Sequence, residues 1–258
     1  MIDYHSSDTH LVTLRIDARA VNPLSRRFQQ ALEGALDRLD GAAAQLRGVV
    51  LRFDNAAPPG GHELEHLLAL TPAQADDCMA MLAHYNALLR RLETLGRPVV
   101  AALAGPIHGH ALGLALACPR RVALRGASLR LPEVTMGLTP SGGALVRMVR
   151  SIGLKAALPL LRDGLALDAA AALQAGLLHG VAADADALTA LAHGAADAAS
   201  APPQPWDEPD YRMPGGAPGA AQLHMLLLTA PALLREQTGG LYPAPEAVLC
   251  AMVEGGGG

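Results

Sequence analysis

Pro98-Val99-Val100-Ala101-Ala102-Leu103-Ala104-Gly105 leads into His108-Gly109-His110-Ala111-Leu112-Gly113, and further on come Pro132-Glu133-Val134 and Gly137-Leu138-Thr139-Pro140. The first run is apolar, short and opened by a proline, the pattern of a buried strand. Gly109 marks a turn, and the small residues from Ala111 to Cys118 read as a closely packed helix. A second strand follows, and then a single carboxylate, Glu133. Such a turn can present a backbone N–H to a developing negative charge, and a carboxylate beside it can move a proton.

Upstream of this stretch, Leu11 to Ile16 alternates as a strand does and Asp17 to Asn22 is polar and turn-like. Pro23 opens a helical pattern with Phe28, Leu32, Ala35 and Leu39 on one face. Gly48 to Phe53 is a second strand. Asp54 to Gly61, with two prolines and two glycines, is a loop, and Thr71-Pro72 caps a long helix running to Leu95. Downstream, Leu145 to Leu161 is helical with a break near Ser151-Ile152-Gly153. Asp168 starts a helix that stops at Gly176, Leu177 to Val181 is a short connector, and Asp184 to Ser200 is an alanine-rich helix. Ala201 to Gly219 is rich in proline and glycine and reads as a linker. Leu223 to Arg235 and Glu246 to Val253 are apolar helices, and the closing four glycines fray. The division expected is a core over residues 1–200, then a linker and C-terminal helices over 201–258.

Composition bounds the function. Of the 258 residues 51% are apolar and 17% charged, so one substantial core can form around Ala, Leu and Val. A net charge of −4 is a poor match to nucleic acid or to an anionic membrane surface. Cys78, Cys118 and Cys250 have no metal-ligand spacing and form no even framework, which points to reduced, buried thiols and no metal. The N-terminus lacks a basic region followed by an apolar run, and no apolar segment is long enough to span a bilayer. A cytoplasmic protein is expected. Gly105, Gly109 and Gly113 are spaced by four, which is not a dinucleotide fingerprint, and there is no phosphate-binding P-loop.

Taken together, Arg97 to Gly105, the Gly109 turn, Ala115 to Cys118, Leu131-Pro132-Glu133 and Gly137 to Pro140 resemble the crotonase superfamily, the enoyl-CoA hydratases and isomerases. Gly61-His62-Glu63-Leu64-Glu65 looks like that family's other turn, and Ala169 to Leu178 like a helix it places downstream. The resemblance covers roughly residues 10 to 190. Gln204 to Asp207, Pro214 to Gly216 and Tyr242 to Pro245 look like the end of the hydratase part of bacterial multifunctional fatty-acid β-oxidation proteins, so the chain is expected to be a stand-alone hydratase-like part.

The resemblance implies an α/β fold, a crotonase-like spiral of β-β-α units with two roughly perpendicular sheets and a C-terminal helical trimerisation region. It implies a homotrimer or a dimer of trimers, a coenzyme A thioester as substrate and no cofactor. The backbone amides of His62 and His110 would hold the enolate oxygen, each donor typically worth about 2.7–4 kcal/mol of barrier, with Glu133 as acid–base group. Arg19, Asn22, Gly60 and Gly61 would hold the coenzyme A, Arg26 and Arg27 being further phosphate partners. Hydratases carry a second glutamate, and it would fall at Gly113 here; Ala104, Pro119 and the early Gly142-Gly143 also depart from the family. One carboxylate suffices to shuttle a proton between carbons, whereas activating water is harder without the second. The alternatives are a non-catalytic acyl-CoA-binding or interaction protein and, more weakly, a different reaction on the same fold such as thioester hydrolysis.

Overall fold

The first strand is β1 (Ile2–Ser6), which pairs antiparallel with β2 (Leu11–Ile16). This computed structural model describes residues 1–54 and 67–256. Helix α1 (Arg26–Gly41) begins where the Ser25 hydroxyl accepts the Phe28 N–H, three residues after Pro23, because Asn22 to Ser25 close a turn first. Its buried Phe28, Leu32, Leu36 and Leu39 recur at the helical period and face the sheet. Next come β3 (Gly48–Phe53), the helix α2 (Ala75–Glu93), entered through a capping box between Thr71 and Gln74, and β4 (Val99–Leu103).

The middle of the chain supplies β5 (Ile107–His108), α3 (Gly109–Leu116), β6 (Arg120–Leu124) and β7 (Ser128–Arg130). A short 3₁₀ turn over Glu133–Met136 follows, then α4 (Ala144–Ile152) and α5 (Leu154–Arg162), hinged at Gly153. After these come β8 (Ala166–Asp168), α6 (Ala169–Ala175), β9 (Gly180–Ala182) and α7 (Ala185–Ala196). The chain closes with α8 (Ala221–Thr238) and α9 (Ala244–Gly256).

Six strands form one sheet in the order β1-β2-β3-β4-β6-β9, parallel except for the β1–β2 pair, and β5-β7-β8 form a second. The central strands are buried on both faces, which is why Val99–Leu103 carries no polar alternation. One face of the large sheet meets the main core with α1 and α2. The other meets α7 through Val50, Val100, Ala102, Leu188 and Ala192. Several short strands were not anticipated: β1, β5, one of the pair β6 and β7, β8, and β9, whose Gly180–Ala182 falls in the expected connector. A three-residue strand is too short to show a period, and only its pairing with Val122–Leu124 defines it. The thiols also need correction. Cys118 is buried, but Cys78 is half-buried and Cys250 exposed, since the face of α9 that carries Cys250 points away from the core. Among the described residues no helix is long and apolar enough to cross a membrane.

Residues 201–219 lie against the core. Gln204 is fully buried and donates to the Leu116 carbonyl (3.1 Å) and to Glu93 Oε1 (3.3 Å). Glu93 also accepts from Arg147 Nε (2.7 Å) and Arg90 (3.1 Å), and Arg90 holds Asp207 with two bonds of 2.8 Å. One buried carboxylate therefore joins α2, α3, α4 and the segment after α7.

Candidate active site

The small sheet brings the site together. β5 and β7 are parallel, with Ile107 opposite Leu129 and His108 opposite Arg130. Both strands end at the same edge. There β5 passes directly into α3, and β7 leads through Leu131-Pro132 into the turn that starts with Glu133. The N-terminus of α3 and the carboxylate thus meet because the register of two short strands puts them side by side.

Gly109 adopts φ +57°, and a Cβ there would lie 3.3 Å from Glu133 Oε1. The carboxyl is therefore laid against the first residue of α3. The leading N–H groups of a helix have no acceptor within it, and they carry the positive end of its dipole. His110, whose amide the resemblance singles out, is the second residue of α3.

Glu133 is only 5% exposed, and its Oε2 has no hydrogen-bond partner among the described residues. Burial pushes its pKa up to about 7, offset in part by a backbone hydrogen bond. A carboxyl in that range can both take and return a proton near neutral pH. The His110 imidazole is held down at about 4 by burial and is neutral at pH 7. His108 Nε2 lies 3.4 Å from the Ser128 hydroxyl.

Residues 7–206 match the enoyl-CoA hydratase/isomerase family. The chain belongs to that family. It is 32% identical over 246 residues to the fatty acid oxidation complex subunit alpha of Idiomarina loihiensis, covering 94% of this chain and 34% of that protein. The chain thus spans about a third of the length of that relative. Among solved structures it resembles an enoyl-CoA hydratase/isomerase family protein from Silicibacter pomeroyi (25% identity, TM-score 0.67, covering 80% of this chain and 86% of that one). It also resembles an enoyl-CoA hydratase from Mycobacterium smegmatis (26% identity, TM-score 0.63, 76% of each chain).

The expected site residues of this hydratase/isomerase family chain fare differently. Glu133 and His110 stand at the same edge of the small sheet. His62, Gly60 and Gly61, with Glu63 and Glu65, lie outside the described residues. Asn22 spends its Oδ1 on the Leu24 N–H (2.6 Å), which shapes the turn before α1. Arg19 is exposed, with Nε 3.3 Å from Asp17. The same loop ends beside the entry to α4, where a Cβ on Gly142 would stand 3.9 Å from Pro23 Cγ and 2.7 Å from the Tyr85 ring. At position 113 helices α3 and α4 come close: a Cβ there would be 3.2 Å from the Ala144 Cβ. Among the described residues there is no cluster of three potential metal ligands. Sequence reasoning did not find the Tyr242 hydroxyl, which donates to the Val134 carbonyl (2.6 Å) inside the Glu133 turn. Its only signal was Tyr242-Pro243-Ala244-Pro245 as a motif.

Proposed function

We propose that the protein moves a double bond in an enoyl-CoA thioester, with Glu133 as the one acid–base group. The Glu133 carboxylate removes a proton from C2 of a 3-enoyl thioester, and the electron pair passes to the thioester oxygen as a dienolate. The backbone amides of His62 and His110 receive that negative oxygen. Glu133, now protonated, returns the proton at C4 and leaves the conjugated 2-enoyl ester. Atoms and charge balance without water. The observation that carries this reading is the buried Glu133 carboxyl, with Oε2 unpartnered among the described residues and Oε1 against Gly109 at the head of α3.

Hydration needs a second group to activate water, and general acid–base help of that kind is worth about 10²–10⁴-fold. Gly113 supplies none. It also favours a second reading, an acyl-CoA-binding protein that retains the fold without turnover. Arg19, with Arg26 and Arg27, suits the phosphates of coenzyme A, and Asn22 acts by holding its loop. Gly60 and Gly61 would approach the ligand from the segment after β3, and side chains around Leu138 would border the acyl chain. On α8, Met225, Leu228 and Leu233 are exposed, as is Leu241 just beyond, and this apolar face suits burial against other copies in a trimer. Fatty-acid oxidation, named in the Idiomarina relative, is the metabolic setting proposed.

Purified protein incubated separately with a 2-enoyl-CoA and a 3-enoyl-CoA tests this directly. The conjugated chromophore should grow from the 3-enoyl ester and persist with the 2-enoyl ester, and Glu133→Gln should abolish the growth. Loss of chromophore from the 2-enoyl ester would mean hydration. Silence with both esters while either stays bound would favour the binder.

A further inference from the structure

We infer that Tyr242 is a positioning residue that fixes the Glu133 turn to the C-terminal helices, so that the seating of α9 sets where the carboxyl stands. The inference rests on the reading of Glu133 as the acid–base group.

The turn is well bonded within itself. Thr135 donates from both its N–H (2.8 Å) and its hydroxyl (2.7 Å) to the Pro132 carbonyl. Leu138 N–H donates to the Glu133 carbonyl (3.0 Å), and Gly137 N–H to the Val134 carbonyl (3.1 Å). These bonds give the turn its shape, and the buried side chains of Leu131 and Val134 seat it on the core. Gly164 lies against it, leaving a Cβ only 3.0 Å from Thr135 Cγ2 and 3.4 Å from Pro132 Cα. Among the hydrogen bonds of the described residues, the Tyr242 hydroxyl is the one that reaches the turn from a distant part of the chain. It lands on the carbonyl next to Glu133, at 2.6 Å.

Tyr242 itself is held from one side. It precedes α9 by two residues, and α9 is anchored through buried Ala244, Val248, Leu249 and Met252. On its other side Gly239 and Gly240 both take positive φ, and Leu241 is 89% exposed. The hydroxyl is therefore a short strut between an anchored helix and the catalytic turn. With the strut gone, the turn keeps its internal bonds but gains freedom to tilt, and Glu133 meets more water.

The test compares Tyr242→Phe with Tyr211→Phe. Tyr211 makes a matched bond, hydroxyl to the Arg150 carbonyl at 2.7 Å, from the same C-terminal third of the chain but away from the Glu133 turn. With a 3-enoyl-CoA as substrate, Tyr242→Phe should lower kcat about 3- to 10-fold, the range of one net hydrogen bond, with KM nearly unchanged. The acidic limb of its pH profile should move to lower pH as the carboxyl becomes hydrated. Tyr211→Phe should leave both unchanged. A readout independent of turnover is the extra stability that Glu133→Gln confers at alkaline pH, which should shrink in the Tyr242→Phe background. If Tyr242→Phe keeps the parent kcat, pH limb and stability increment, or if Tyr211→Phe reproduces its effects, Tyr242 is not a positioning residue. If Glu133→Gln retains full activity, the acid–base reading fails instead, and the stability increment still reports whether Tyr242 positions the carboxyl.

Discussion

Replacing Glu133 by Gln should cost activity and add stability, and the second effect depends on pH in a way that identifies its cause. Burial raises the carboxyl from its ordinary 4.5 to about 7. The ionised form is therefore disfavoured in the folded protein by about 3 kcal/mol, at 1.36 kcal/mol per pH unit. Below about pH 4.5 the group is protonated in both folded and unfolded chains and contributes no difference. Between 4.5 and 7 the unfolded chain ionises first, so stability falls as pH rises. Above about 7 the full penalty is present. Glutamine carries no charge, so Glu133→Gln escapes it. Its amide brings its own buried polar atoms, a cost that does not vary with pH. The gap in unfolding free energy between variant and parent should thus widen in favour of Gln by about 3 kcal/mol from about pH 4.5 to about pH 8.5. Urea denaturation at intervals across that range measures it, and all other titrating groups cancel in the difference. A gap that is flat with pH would mean that Glu133 is solvated or has a partner when charged. The raised pKa would then be gone, and with it the fit to neutral-pH proton transfer.

The other expectations are simpler. Gly109→Ala and Gly96→Ala both place a side chain at positive φ, +57° and +73°, and each should lose about 1–2 kcal/mol of stability. Only Gly109→Ala, whose Cβ would press on Glu133 Oε1, should also depress turnover with a 3-enoyl-CoA; equal turnover in the two variants would mean that Gly109 does not border the reacting carboxylate. Glu93→Gln leaves Arg147 without its buried anion and should cost about 3–5 kcal/mol, whereas Asp207→Asn, acting on the more exposed Arg90, should cost under about 1 kcal/mol; chemical denaturation of both decides it. Burial pushes the Cys118 thiol up to about 12, so a thiol reagent should modify exposed Cys250 in the native protein and reach Cys118 only on unfolding. Rapid native labelling of Cys118, located by peptide mapping, would contradict its burial.

The large sheet and most helices were legible because their signals are local. Leu11–Ile16 and Gly48–Phe53 have the extents expected of them, and Asp168 and Gly176 cap α6 as their residue types suggest, the first by a side-chain bond to Ala171 N–H and the second at φ +86°. β9 escaped because a pairing partner far along the chain, not its own three residues, defines it; β1 escaped although its partner β2 is the next strand. Glu133 was legible as a carboxylate but not as a buried one. Its burial comes from the β5–β7 register, which has no sequence signature of its own, and from the Gly109 turn, which was legible as a turn but not as a wall against the carboxyl. The buried Glu93 was missed for a similar reason. It sits in the last turn of a helix rich in charge, and only the fold delivers Arg147 and Gln204 to it. A stretch rich in proline and glycine reads as a linker, yet Gln204 within it is as buried as any core leucine.

The packing of α3 also bears on which reaction the site favours. Gly109 and Gly113 are one turn apart on the same face of α3. Toward the N-terminus that bare face receives the Glu133 carboxyl, and one turn later it receives Ala144, at the start of α4. The approach of α4 is fixed independently. Gly142 and Gly143 enter it at φ +62° and +69°, the Tyr85 ring leaves no room for a Cβ on Gly142, and Arg147 donates to the Gly142 carbonyl at 2.9 Å. A Cβ at position 113 would thus need Ala144 to give by a few tenths of an ångström, at the start of a helix whose first turn is pinned from several directions. Glycine at position 113 is matched by the close approach of Ala144, at the start of α4, to α3. On the proposed reading, this packing goes with a chemistry that one carboxylate completes, taking a proton from one carbon and returning it to another, rather than one that must also activate water.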